Sequence, residues 1–598
     1  MKGKDWGIII VSAIILANTL IYSLLDLLRY QSYNAGVYDL GVASQILYGV
    51  THGQLNFKDV VANKLIYIPM GFLYSIDPNP VFLQYFQAFF LSLGALPVYL
   101  ISGEKLKGKG IPVCFALLWV LYFPLSGSYW FDFHFMTMFP TLFLFGIYFH
   151  MRQNTKLALL FLFLASVTDF LAPIILAFFA VYAAYSDARF RGIDPYRNRV
   201  AIPLLLFVSI IFIFVISYYG ISYFSQYVDQ QILTYNPVGN AVPVSYAYKL
   251  GYFIYLMLPL LFLSIFGFEF LITLVPYASL AILNNYYPYV NTLLYQYPSL
   301  TAATLFVAAI LGVSRIINGK RIHISRKKVR NIVVGAVVFN IFLAAFLTPV
   351  GNLYTQSDVG AQVTHYLAGM SRNYNTSSSI ETNGNVSAMN SIAGYIPKGS
   401  SVLIQDNMAQ FVDNYNWTLP YTYVFSRPVQ YVIVDTYSPD FEHFFLGNNS
   451  SRNMMSLVNS FIANGSYYPV YQNGGIMLLS LSQKGEIYYH GLSMQLREKS
   501  IQELNSTLHS MILTPGNFTF SLSGDPGIAH DLNLTLFYRT NPYGKTEQRD
   551  ITLINVNGTL TGFLNNSVFS EIYGVRINYN HSSQVLFNLS MDEAEPLW

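Results

Sequence analysis

Four side chains with chemical potential stand in short polar breaks between long apolar runs. Asp39 lies in Arg29–Asp59, RYQSYNAGVYDLGVASQILYGVTHGQLNFKD, just after the first apolar run. Asp132 and His134 lie in Trp130-Phe131-Asp132-Phe133-His134-Phe135, and Asp169 in Ser166-Val167-Thr168-Asp169-Phe170. A carboxylate can take a proton from an attacking hydroxyl. Carboxylates with an imidazole can also hold a divalent cation such as Mn²⁺ or Mg²⁺. Asp132 and His134 are two residues apart, which puts both on one side of an extended segment. Ionisable groups at membrane depth are costly, so they mark sites or paired charges. Each also has an ordinary alternative. Asp39 can cap a helix over 40–49 and Asp132 one starting near Phe135, since Asp is a favoured N-cap, and His134 can be a packed core histidine. Asp169 has the poorest such explanation. Asp26 and Glu269, near the ends of apolar runs, read as structural or snorkelling groups, and Tyr295-Gln296-Tyr297 as candidate pocket lining.

The elements that must position these groups are membrane helices. The 598-residue chain is 53% hydrophobic and 11% charged, against about 25% charged residues in soluble domains. Apolar runs over 7–28, 81–102, 111–127, 135–151, 156–168, 171–186, 201–222, 251–266, 268–283, 300–317 and 331–350 predict a polytopic α-helical protein with about 11 spans. The first run lacks a small-residue cleavage site and reads as an anchor. Residues 65–76 predict a helix at the interface. A single cysteine, Cys114, excludes disulfides and Cys-based metal sites. The net charge of +3 points to no nucleic-acid partner.

Basic residues orient the spans. Lys2/Lys4, Lys105/Lys107/Lys109, Arg152/Lys156, Arg189/Arg191/Arg197/Arg199 and the stretch Arg315–Arg330 fall on one side; the other side, up to residue 350, has only Arg29, Lys58, Lys64 and Lys249. Cytoplasmic loops carry the excess of Lys and Arg. This places the N-terminus in the cytoplasm and residues 351–598 outside. The sequons agree: Asn375, Asn385, Asn416, Asn448, Asn449, Asn464, Asn505, Asn517, Asn533, Asn557, Asn565, Asn580 and Asn588 all follow residue 350. Many sequons, with no cysteine after residue 350, suggest a glycoprotein of an archaeal cell envelope. The predicted domains are a transmembrane domain over 1–350, an extracytoplasmic α/β domain over 351–484 and a β-sandwich over 485–598. In the α/β domain, 401–406, 431–437 and 475–482 read as strands, and 387–395 and 454–463 as helices. The last part has short alternating strands separated by Gly/Asn/Pro turns.

The order of YDLGVASQILYGVTHGQL, PNPVFLQYFQAFFLSLGALPVYLI, YFPLSGSYWFDFHFMTMFP and SVTDFLAPIILA resembles domain of unknown function 2079. That prokaryotic membrane family is grouped with the GT-C superfamily of polyprenyl-phosphate-dependent glycosyltransferases. The resemblance covers residues 30–320, extends weakly to 484 and leaves out the β-sandwich. Its most specific piece is Phe131-Asp132-Phe133-His134. The family often has a Lys-Glu-Asp type sequence where this chain has Val167-Thr168-Asp169, so one acidic group is missing there. The resemblance implies a GT-C-like fold in membrane lipid. It also implies a sugar donor on a polyprenyl phosphate and a glycan or protein acceptor on the outer face. Asp39 matches the acidic residue of the first outer loop, which serves as base or helps hold a metal. Arg29, Lys64 and Lys249 are the outer cations available for the lipid phosphate, and Asp132, His134 and Asp169 are the set for a divalent cation. Two other readings stay open: a non-catalytic envelope scaffold or subunit of a membrane surface complex, and a transporter, against which the lack of internal repeats counts.

Overall fold

The computed structural model describes residues 6–53, 65–219, 244–350, 386–435 and 467–596, with breaks inside these ranges. It divides into two compact units, Met1–Glu381 and Thr382–Trp598.

The first unit is helical. Its α-helices of eight residues or more begin with α1 (Trp6–Gln31), α2 (Val42–Thr51), α3 (Tyr67–Tyr74), α4 (Pro80–Leu93) and α5 (Ala95–Leu106). They continue with α6 (Gly110–Leu121), α7 (Phe139–Met151), α8 (Thr155–Ser166), α9 (Ala172–Arg191) and α10 (Ala201–Tyr219). The series ends with α11 (Tyr246–Met257), α12 (Val275–Leu283), α13 (Ser299–Asn318) and α14 (Arg326–Leu347). Local signals set several boundaries. Asn79 accepts from the Val81 N–H ahead of Pro80, and Asn154 from the Leu157 N–H, the capping expected of Asn at an N-terminus. Gly192, at φ 65°, ends α9 in the left-handed conformation glycine adopts at little cost. Helix α3 falls where the interface helix was expected.

Among the described residues, five helical stretches are long and apolar enough to cross a membrane: Trp6–Gln31, Pro80–Leu106, Leu263–Leu283, Ser299–Asn318 and Arg326–Leu347. Gly110–Leu121 and Phe123–Trp130, bent by 40°, would make a sixth. Eleven runs were expected. Several of the others form shorter apolar helices, including Phe135–Met151, Thr155–Ser166 and Ala201–Ile213.

The expected boundary between runs 251–266 and 268–283 is more complex than one glycine. The chain breaks at Leu261 and Phe262, whose φ values are 48° and 57°, and kinks again at Gly267. Asn340 of α14 donates to the Pro259 carbonyl at 2.7 Å, pairing a group freed by the break. Gly267 and Gly312 mark where the kinked stretch crosses α13. A Cβ at Gly267 would lie 2.0 Å from the Ala308 carbonyl oxygen, and one at Gly312 would lie 2.3 Å from that of Leu263. Small residues let membrane helices approach backbone to backbone. Gly267→Ala is therefore expected to cost about 1–3 kcal/mol by overpacking, measured as a lowered thermal unfolding midpoint; an unchanged midpoint would refute the close crossing.

The ends of this bundle differ chemically. Gly7, at the start of α1, packs on the Tyr99 ring of α5. Near that end Arg152 pairs with Glu104 at 2.8 Å, Arg191 donates to the Met151 carbonyl at 3.2 Å, and Arg326 donates to the Leu106 carbonyl. Glu269 pairs with Arg315 and, at 3.3 Å, with Arg189, in keeping with its structural reading. Arg29 lies about 33 Å farther along α1, at 1.5 Å per residue. Among the described residues, Arg152, Arg189, Arg191, Arg315 and Arg326 thus stand toward one end of the helical unit, and the turns of Asp39, Asp132 and His134 stand with Arg29 at the other.

The second unit is rich in strands. Helix α15 (Val386–Ala393) precedes a five-stranded sheet in the order β2-β1-β3-β5-β4. Here β1 (Val402–Leu403) runs parallel to β2 (Trp417–Thr418) and to β3 (Tyr431–Asp435). Strand β5 (Ile476–Ser480) is antiparallel to β3 and to β4 (Tyr468–Asn473). Val432, Ile433, Leu478 and Leu479 are wholly buried, as continuous apolar strands require. The helix expected over 454–463 lies outside the described residues. Strands β6 (Leu492–Arg497) to β14 (Leu586–Pro596) form a nine-stranded antiparallel sheet, ordered β6-β14-β9-β12-β11-β10-β13-β7 with β8 on β13. Strand β11 (Glu547–Val556) pairs with β10 (Leu532–Arg539) over 547–553 and with β12 (Thr559–Asn566) over 554–556. Of the sequon asparagines, Asn416, Asn533 and Asn565 are exposed; Asn517 and Asn588 lie on β9 (Gly516–Ser523) and β14; the others lie outside the described residues.

Candidate active site

Asp39 sits in a single π-helical turn, Val37–Gly41, between α1 and α2. It does not cap α2, whose N-cap is Gly41 with no side-chain bond. Its Oδ1 instead lies 3.3 Å from His134 Nε2, with the two side chains 25% and 21% exposed. His134 Nδ1 lies 2.8 Å from the Asp132 backbone carbonyl. A carbonyl oxygen can only accept, so Nδ1 carries a proton. The contact with Asp39 is then attractive only when a second proton lies between Nε2 and the carboxylate. The pair is an imidazolium facing a carboxylate, or the same two groups sharing that proton.

Burial disfavours the imidazolium, but the Asp39 carboxylate and the Asp132 carbonyl outweigh it and raise the His134 pKa. The sign follows from linkage. A histidine whose pKa is raised by folding adds stability that is fully present below its unfolded pKa of about 6.5 and is lost as pH rises through its folded pKa. The thermal midpoint of the protein should therefore fall across that interval relative to Asp39→Asn, and parallel pH profiles for the two proteins would refute the pairing.

Asp132 plays a different part. Its Oδ1 pairs with Arg29 Nη1 at 2.9 Å, and its Oδ2 accepts the Gly36 N–H at 2.9 Å. Arg29 also donates to the Trp130 carbonyl at 2.9 Å and lies over the Trp130 ring. Both charged side chains are nearly buried, at 9% and 6% exposure. Burial pushes the Asp132 pKa up, Arg29 opposes it and Asp39 adds to it. Asp132 thus ties the end of α1 and the loop before α2 to the 130–134 turn. It does not cap the next helical turn, which begins after His134 without a side-chain bond.

Gln87 of α4 completes this frame. Wholly buried, it donates to the Phe131 carbonyl at 2.8 Å and accepts from the His134 N–H at 3.0 Å and the Thr137 hydroxyl at 3.1 Å. Three bonds from one amide fix the turn that carries His134. Sequence reading passed over Gln87; the available signal was an uncharged polar residue inside an apolar run.

The remaining candidates are engaged elsewhere or lie apart. Asp169 Oδ1 accepts the Leu171 N–H at 2.8 Å, an N-terminal contact ahead of α9. Tyr297 lies within electrostatic reach of both Asp39 and Asp169 and, desolvated by burial, has its pKa well raised. Rings of Tyr289 and Tyr297 meet at 4.6 Å, while Tyr295 lies 5.2 Å from Phe131, itself 5.4 Å from His134. Lys249 donates to the Ile282 and Asn284 carbonyls, each at 2.7 Å, closing the end of α12. Lys64 lies outside the described residues. The expected set of Asp132, His134 and Asp169 is not assembled for a divalent cation, because Arg29 occupies Asp132 and Leu171 engages Asp169. Among the described residues, no three His, Cys, Asp or Glu side chains are grouped to hold a metal ion.

Comparison with solved structures gives distant similarities. ArnT from Cupriavidus metallidurans bound to undecaprenyl phosphate is 12% identical with a TM-score of 0.49, covering 81% of this chain and 100% of that one. The Archaeoglobus fulgidus oligosaccharyltransferase in its apo form is 13% identical with a TM-score of 0.37, covering 97% of this chain and 98% of that one. Arabinosyltransferase EmbB from Mycobacterium smegmatis is 10% identical with a TM-score of 0.33, covering 98% of this chain and 64% of that one. No curated protein matches the sequence. The family model described as "Predicted membrane protein (DUF2079)" matches residues 29–478, which hold Arg29, Asp39, Gln87, Asp132 and His134. The chain belongs to this family of multi-helix membrane proteins.

Proposed function

We propose that this chain is a membrane glycosyltransferase of the GT-C type that moves a sugar from a polyprenyl phosphate to an acceptor hydroxyl, on a glycan or protein, at the outer membrane surface. The observation that carries the reading is the Asp39–His134 pair. It is the partly exposed point of an otherwise buried frame of Arg29, Asp132 and Gln87, held away from the basic end of the bundle. Such burial fixes reactive groups in place.

In this scheme the acceptor oxygen bonds to the anomeric carbon while its proton passes to Asp39. The bond from that carbon to the lipid phosphate oxygen breaks, and configuration inverts. The departing phosphate gains one negative charge, which the His134 imidazolium is placed to meet. Arg29, paired with Asp132, supports the site from behind, and Lys64 and Lys249 are further candidates for the phosphate. No step is assigned to a metal ion, since the expected ligand set is not assembled. Asn416, Asn533 and Asn565 of the strand-rich unit are exposed attachment points for glycan on the chain itself.

The test is release of free polyprenyl phosphate by the purified chain in lipid vesicles supplied with labelled polyprenyl-phosphate sugars and a hydroxyl acceptor. Release dependent on acceptor supports the reading. No release above protein-free vesicles, with a panel of donors and the chain folded, would favour the envelope scaffold.

A further inference from the structure

Beside the Arg29–Asp132 pair the structure holds a second polar set that the proposed reaction does not use. Asp26, on α1, is 1% exposed, and Gln84, on α4, is wholly buried. Among the described residues, neither carboxylate oxygen of Asp26 and neither amide atom of Gln84 has a hydrogen-bond partner. Asn18 of α1 donates to Ser92 of α4 at 2.9 Å. Nearer the other end of α1, Arg29 and Gln87 both hold the 130–131 backbone, so the helices run antiparallel. Eight residues from 18 to 26 and eight from 92 to 84 are each about 12 Å in the same direction. Asp26 and Gln84 therefore lie at the same depth. Asp26 is within electrostatic reach of Tyr85, next to Gln84, and of Arg29 and Asp132.

The local charge does not balance. Asp26 and Asp132 bring two carboxylates, and Arg29, already paired with Asp132, brings one cation. A buried carboxylate without a partner is strongly disfavoured in an apolar interior, and one positive charge is missing. The two Asp26 oxygens and the Gln84 carbonyl oxygen are hard donors of the kind that suit hard cations. A divalent ion would overshoot the deficit. We propose that Asp26 and Gln84 form a buried site for a small monovalent cation, which neutralises the charge behind the Arg29–Asp132 pair.

Sodium is the probe. The purified full chain is unfolded thermally in detergent at fixed ionic strength while sodium replaces choline. A ligand bound only by the folded state raises the midpoint in a saturable way. The expected result is such a rise for the unaltered protein, its loss in Asp26→Asn, and a shift of at least about tenfold to higher sodium in Gln84→Leu. If Asp26→Asn does not fold, Gln84→Leu alone carries the comparison. An unaltered protein indifferent to sodium against choline overturns the site and leaves a proton on Asp26 as the neutralising charge. An equal rise in every variant assigns the effect elsewhere and overturns it as well. The readout needs no transfer activity, so its failure is distinct from failure of the transferase reading.

Discussion

Replacing Asp39 by Asn is expected to lower sugar transfer by about 10²–10⁴-fold, the range a positioned general base contributes. The substitution keeps shape and a hydrogen-bonding oxygen but removes the group that takes the acceptor's proton. It also removes the anion facing His134, 3.3 Å away, so the imidazolium loses its main support. Two controls separate these effects. Because Asp39 is a quarter exposed and does not cap α2, the variant should fold, with a midpoint below that of the unaltered protein only in the acidic range. His134→Gln, which keeps Asp39 but removes the cation facing the departing phosphate, should retain more activity than Asp39→Asn. Full transfer by a folded Asp39→Asn would remove the base from the scheme and with it the central role of the pair.

Part of this arrangement was legible in the sequence, and the boundary has a physical cause. Apolar runs and basic clusters act through composition, so the helical unit and its charged end could be read directly. The turns holding Asp39, Asp132 and His134 were flagged for the same reason, and the fold brings them together. What a carboxylate does depends on who reaches it across the fold. Asp39 and Asp132 look alike in sequence, each ahead of a helical segment and each able to cap it. In three dimensions Asp39 meets an imidazole at a partly open edge, whereas Asp132 is closed off by Arg29 and the Gly36 N–H. Asp169, which had the weakest claim to capping, makes the N-terminal contact. Gln87 carried no local signal beyond its polarity, because all three of its partners belong to one distant turn. The break at Leu261 and Phe262 was hidden for a similar reason. Neither residue type favours positive φ, and the compensating Asn340 lies on another helix.

The largest effect on stability is expected at Arg29. Arg29→Leu would leave Asp132 buried with only the Gly36 N–H, and removing one partner of a buried ion pair costs about 3–5 kcal/mol. Asp26 lies within electrostatic reach of the same guanidinium, so its carboxylate would lose that support as well. The Trp130 carbonyl would also lose its donor and the indole its cation. The expected outcome is a large fall in thermal midpoint and in yield of folded protein. Adding Asp132→Asn to Arg29→Leu should recover a good part of the loss, since a neutral amide tolerates burial better than an unpaired charge and still accepts from Gly36. Asp132→Asn alone should cost less than Arg29→Leu alone, because Arg29 keeps Trp130 and gains a nearer claim on Asp26. If the two single losses simply add in the double variant, the ion pair does not couple these residues, and the frame behind Asp39 and His134 must rest on Gln87 instead.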